Sequence, residues 1–134
     1  MKKTLLASLL LFTLALATVC AAQTTTSTPA SNTVAPTEMS ADLGPCSVLF
    51  TVNGKDGKPL YNAKITTRLR YGVGGFKRID LEASTNSNGQ AKFIHLPSAP
   101  KKPIFFYVSK DEGLEIVEFS PEVRCQDEKT VTLK

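Results

Sequence analysis

Tryptophan is absent from this chain, and histidine occurs once, at His95. A core must therefore be assembled from aliphatic residues, seven phenylalanines and three tyrosines. One histidine and three widely spaced cysteines do not make a zinc site, which needs about four converging ligands. Nucleophilic catalysis needs a base beside the nucleophile and a group that orients the base. His95 stands next to Leu96-Pro97 with no serine or cysteine motif around it, so it reads as a structural or surface histidine. No cofactor motif is present, and the chain reads as non-enzymatic. Long apolar runs are also missing after the first twenty residues, and no helix of useful length is expected there.

The N-terminus has the pattern of an export signal. Lys2 and Lys3 form a positive start, and residues 5–19 are apolar but too few for a comfortable membrane span. Small residues follow at Cys20-Ala21-Ala22, which predicts cleavage between Ala22 and Gln23 and a signal peptide over residues 1–22. Lipoprotein processing at Cys20 is the alternative; Val19 and Ala17 fit that pattern poorly. The short apolar region looks bacterial, and the mature chain is expected to be secreted, periplasmic or cell-surface, with no stable transmembrane span. Residues 23–43 are rich in Thr, Ser, Ala and Pro, which predicts a disordered linker.

Residues 44–134 remain for one folded domain. If Cys20 leaves with the signal, Cys46 and Cys125 are left, and an even count in an exported chain argues for a disulfide. Free thiols or a metal pair are the alternative. Charge is mild. Sixteen basic against 12 acidic residues give +4; without Lys2 and Lys3 the count is 14 against 12, or +2. Glu38 and Asp42 precede the domain, so residues 44–134 carry 14 basic and 10 acidic residues, again +4. That balance permits contact with anionic polymers without implying nucleic acid.

The folded part reads as seven short strands divided by turn chemistry: 46–53, 60–71, 76–84, 90–96, 104–109, 114–119 and 129–133. The cleanest alternation is in the second, with Ala63, Ile65, Thr67 and Leu69 inward and Lys64, Thr66, Arg68 and Arg70 outward. Val48, Phe50 and Val52 share a face of the first. Residues 104–108 are almost continuously apolar, as where both faces are covered or one meets a partner. Such strands, with turns every eight to twelve residues, predict an all-β, seven-stranded immunoglobulin-like sandwich of two sheets.

Two stretches then carry a resemblance. Val52-Asn-Gly-Lys-Asp-Gly-Lys-Pro-Leu-Tyr-Asn-Ala-Lys-Ile65 and Thr85-Asn-Ser-Asn-Gly-Gln-Ala-Lys-Phe-Ile-His-Leu-Pro97 resemble the carboxypeptidase regulatory-like domains. These are transthyretin-like or prealbumin-like β-sandwiches, related to the B-type repeats of collagen-binding surface proteins. The resemblance covers roughly residues 46–134; Gly57, Pro59, Ala63, Ile65, Gly89 and Phe93 match its turns and core. It implies a non-catalytic accessory module of exported enzymes, surface proteins and receptors. Some surface repeats carry a Lys–Asn isopeptide bond from the first strand; residues 48–52 hold no lysine, so that bond is not carried over.

Four features compete as sites. Asp80 and Glu82 share a strand face, and cross-strand pairing with Arg68 and Arg70 accounts for all four. The turn Asn86-Ser87-Asn88-Gly89 lacks the acidic ligands of a calcium loop and reads as a tight turn. A basic face of Lys64, Arg68, Arg70, Lys77 and Arg78, with Tyr71 and Phe76, is the candidate ligand surface for an anionic glycan, cell-wall polymer or lipid headgroup. Phe105 and Tyr107 face opposite to Ile104, Phe106 and Val108, offering an envelope protein an edge for strand addition. The leading function is a non-catalytic module for protein or carbohydrate binding. A purely structural subunit or a small-ligand carrier are the alternatives.

Overall fold

The computed structural model describes residues 34–134. The expected signal peptide, with Cys20 and its two processing routes, lies outside the described residues, as does the first part of the expected linker. Two four-stranded sheets face one another in a sandwich-like arrangement. Chain order is β1 (Thr37–Ser40), β2 (Cys46–Asn53), β3 (Lys64–Tyr71), β4 (Lys77–Ser84), β5 (Gln90–Leu96), β6 (Ile104–Lys110), β7 (Gly113–Phe119) and β8 (Gln126–Thr132), with one 3-10 turn at Val73–Gly75. One sheet has the order β1-β5-β2-β8 and the other β4-β3-β6-β7.

Strand alternation produces the core. Val48, Phe50 and Val52 of β2 meet Ala91 and Phe93 of β5 on one layer. Ile65 and Leu69 of β3, Leu81 of β4 and Phe106 and Val108 of β6 fill the other. Phe50, Phe93 and Phe106 form the aromatic centre, with Phe106 ring centroids 4.8 Å and 4.9 Å from the other two. In the absence of tryptophan these rings supply the largest buried volume between the layers.

Among the described residues the strand count is eight, not seven. The extra strand is β1, inside the stretch expected to be a disordered linker over residues 23–43. It pairs in parallel with β5 from Thr37 opposite Ala91 to Ser40 opposite Ile94. Backbone pairing needs no large side chains, and Met39, Ala41 and Leu43 alternate inward onto the core. Asn86 reinforces the entry, its side-chain amide donating to the Val34 and Ala35 carbonyls at 3.1 Å and 2.8 Å. Two strand starts differ by more than one residue. β3 starts at Lys64 rather than at residue 60, because Asn62 takes positive φ and closes a turn. β8 starts at Gln126 because it pairs in parallel with β2 from Ser47 onward.

That parallel register also brings Cys46 beside Cys125. Their sulfurs are bonded, with Cα atoms 4.6 Å apart and a sequence separation of 79.

The two glycine-rich turns meet at the end of the sandwich opposite that bond. Val52 donates its N–H to the Gly89 carbonyl, and Leu60 donates to the Val52 carbonyl. Gly89 has φ +71° and lies so close that a Cβ there would sit 2.4 Å from the Val52 oxygen. Thr85, buried beside it, donates its hydroxyl to the Leu60 carbonyl and accepts from the Ala63 N–H. Asn86 Oδ1 accepts from the N–H groups of Asn88 and Gln90, so this loop is a hydrogen-bonded turn.

Candidate binding surface

Register dictates which side chains share the outer face of the β4-β3-β6-β7 sheet. Opposing pairs are Arg68 with Asp80, Arg70 with Arg78, Thr66 with Glu82 and Tyr107, Ile116 with Tyr107, and Glu118 with Phe105. The face thus divides into a charged half on β3 and β4 and an apolar half on β6 and β7.

In the charged half, Arg68 holds Asp80 with two hydrogen bonds, Nε to Oδ1 at 2.6 Å and Nη2 to Oδ2 at 3.3 Å. The hydrogen bond from Arg68 holds the Asp80 carboxyl below its ordinary range, with the charges of Arg68 and Arg78 adding to the effect. Reciprocally, Asp80 raises the Arg68 guanidinium. Cross-strand pairing does not account for all four charges, however: Glu82 pairs with Lys64 at 3.0 Å rather than with an arginine. Arg70 instead faces Arg78 directly across the ladder, because Arg70 lies two rows beyond the reach of Glu82. Neither arginine has an acidic partner among the described residues. Lys77 Nζ sits 6.0 Å from the Tyr71 ring centroid, and Tyr71 is half-buried, whereas Phe76 projects into solvent. Of the six residues singled out for binding, Arg70, Tyr71, Phe76, Lys77 and Arg78 gather at one hairpin, while Arg68 is already engaged.

The apolar half comprises Phe105, Tyr107, Leu114 and Ile116, exposed by 44%, 43%, 59% and 56%. Residues 104–108 have one covered face and one open face, Ile104, Phe106 and Val108 being buried. Their strand is not an edge, however: β6 is flanked by β3 and β7, so strand addition there is unavailable. The open edges of this sheet are β4 and β7. Leu114 and Ile116 carry no outward-facing signal in the sequence. Both alternating sets of β7 contain apolar residues, so periodicity does not say which faces outward; adjacency to the apolar β6 is the usable signal.

His95 lies elsewhere, at the end of β5. Ser40 Oγ donates to Asp42 Oδ1 at 2.5 Å and lies 2.9 Å from His95 Nδ1. Nδ1 is also the atom nearest Asp42, at 3.5 Å. A catalytic relay needs the two ring nitrogens to bridge serine and carboxylate. Here one nitrogen faces both, and the serine proton points to the aspartate, the reverse of nucleophile activation. The cluster ties β1 to β5. Among the described residues no group of three His, Cys, Asp or Glu could hold a metal ion. No described helix is long and apolar enough to cross a membrane.

Outside the outer face of the other sheet, Ser47, Leu49, Lys92 and Glu128 line an open depression of about 560 Å³.

No family model matches the chain, and no curated protein matches it. Among solved structures, the chain is similar to catechol 1,2-dioxygenase from Acinetobacter sp. ADP1 inhibited by bound mercury. Identity is 14% and the TM-score 0.44, over 75% of this chain and 59% of that one. It is also similar to 3-chlorocatechol 1,2-dioxygenase from Rhodococcus opacus 1CP, at 13% identity and a TM-score of 0.40, over 72% of this chain and 63% of that one. The chain spans less than two thirds of either enzyme, and likenesses of this size carry no argument about its activity.

Proposed function

We propose that this chain is a non-catalytic, exported accessory module of the carboxypeptidase regulatory-like type, and that it binds a partner protein through the outer face of the β4-β3-β6-β7 sheet. The observation that carries this reading is the contiguous set Phe105, Tyr107, Leu114 and Ile116, each left about half exposed on an otherwise well-filled sandwich. A contiguous open apolar patch bordered by charge has the composition of a protein interface. The Arg68–Asp80 and Lys64–Glu82 pairs supply that border. Aliphatic Leu114 and Ile116 favour a protein over a sugar, which stacks on aromatic rings and hydrogen-bonds beyond them. The Cys46–Cys125 bond supports export, because such bonds persist in oxidising compartments.

A photo-crosslinking residue at Tyr107, compared with one at Thr130 on the other sheet's outer face, tests the reading in the cells that make the protein. A discrete protein adduct from position 107 alone, lost when Phe105 and Ile116 are changed to Glu, is expected. Equal adducts from both faces, or none from position 107, overturn it; a glycan adduct replaces it with carbohydrate binding.

A further inference from the structure

The ladder registers collect four connections at one end of the sandwich. Tyr71 closes β3 opposite Lys77, Ile104 opens β6 beside Phe119 at the close of β7, and Cys46 and Leu96 pair where β2 opens and β5 ends. Loops 41–45, 72–76, 97–103 and 120–125 therefore share this end. The three most exposed large hydrophobic side chains among the described residues are all here: Val73 at 96%, Phe76 at 87% and Val123 at 87%. Val73 and Phe76 ride on a hairpin tip whose Gly72, Gly74 and Gly75 all take positive φ, a narrow turn without side chains to shelter them.

Cations share this end with the apolar tips. Arg70, Lys77 and Arg78 stand on the hairpin stem, and exposed Lys101 and Lys102 lie in the 97–103 loop. None of the five has an acidic partner among the described residues. The acidic groups at this end are Asp42, Glu118, Glu122 and Asp127; Glu118 accepts from the Ser120 hydroxyl at 3.3 Å, and Asp127 is taken by Lys129 and Arg124. With a strand rise of about 3.3 Å per residue, the arginine pair lies within roughly 10 Å of the tip. That spacing matches the step from acyl boundary to headgroup phosphate, where apolar side chains insert and basic ones remain at the surface.

We propose that this end of the sandwich is a docking surface for an anionic lipid bilayer, with Val73, Phe76 and Val123 inserting into the interface and Arg70, Lys77, Arg78, Lys101 and Lys102 contacting headgroups. A soluble polyanion would use the cations but gives no role to two valines in open solvent. The surface adjoins the Phe105–Tyr107 patch but shares no residue with it, so either assignment can fail alone.

Co-sedimentation of the purified full chain with phosphatidylcholine vesicles, with and without roughly one part in three phosphatidylglycerol, tests it. Binding is expected only with phosphatidylglycerol. The pair Val73→Ser and Phe76→Ser should weaken it at least tenfold. The pair Arg70→Gln and Arg78→Gln should weaken it about 25-fold, at roughly fivefold per cation removed. Both variants should melt at the parent temperature, since these side chains are exposed, and Tyr107→Glu should bind like the parent. Absence of vesicle binding overturns the proposal. So does binding that the serine pair leaves unchanged while heparin retention is lost with the glutamine pair, which would make the surface a glycan site.

Discussion

Breaking the Cys46–Cys125 bond should be the largest single perturbation to stability. The bridge joins the start of β2 to the approach of β8, so the loop it closes contains β2 through β7 and therefore residues of both sheets. In the chain-entropy treatment, closing a loop of 79 residues removes about 15 cal/mol/K from the unfolded ensemble, or about 4.5 kcal/mol at room temperature. For a folded region of this size each kcal/mol moves the melting midpoint by about 4–8 °C, so reduction should lower it by on the order of 20–30 °C. The assay is paired thermal and urea unfolding, followed by circular dichroism, of the oxidised chain and of the chain held reduced at equal pH and salt. Reduction keeps both side chains in place, so no cavity confuses the comparison at buried Cys46. The urea slope should rise as well, because the unfolded chain expands once released. A reduced chain whose stability lies within about 1 kcal/mol of the oxidised one would refute the reasoning, since the loop-closure term could not then be acting.

Gly89→Ala should cost about 3 kcal/mol or more, read as a shift in urea midpoint, because the new Cβ meets the Val52 carbonyl at a positive φ. Thr85→Val keeps the buried shape but orphans the Leu60 carbonyl and the Ala63 N–H, and should cost about 2–3 kcal/mol in the same assay. Asp127 is shielded, with 12% of its side chain exposed, and its carboxyl is held below the ordinary range chiefly by the hydrogen bond from Lys129. The Glu128 N–H and the charges of Lys129 and Arg124 assist. A depressed folded-state pKa stabilises fully above the unfolded value of about 4 and is lost as pH falls through the folded value. Stability should therefore fall more steeply below about pH 4 in the parent than in Asp127→Asn, and parallel curves would contradict this.

Much of this architecture is legible in the residues because period-two alternation is unambiguous wherever one face is polar. In β3, Lys64, Arg68 and Arg70 alternate with Ile65, Thr67 and Leu69, and the structure buries the second set. β1 escapes notice for the opposite reason: it lies in a Thr- and Ser-rich stretch with small inward residues, and its stabilisation comes from backbone pairing with β5. Met39, Ala41 and Leu43 do alternate, but three residues of moderate size in a linker-like composition are a weak signal. Charge partners depend on row as well as face, which is why Arg68 finds Asp80 as expected while Arg70 faces Arg78. The candidate surface is half legible. Phe105 and Tyr107 stand out within an apolar strand, but their joining to Leu114 and Ile116 depends on the β6–β7 register, which forms through the turn at residues 111–112.

Hydroxyl-radical footprinting of the protein, free and in complex with the partner captured from position 107, tests the central claim most directly. The account predicts that oxidation of Phe105, Tyr107, Leu114 and Ile116 falls sharply in the complex while Leu49, on the other sheet's outer face, reacts as before. Protection centred on Leu49, or unchanged reactivity at all four residues, would contradict it.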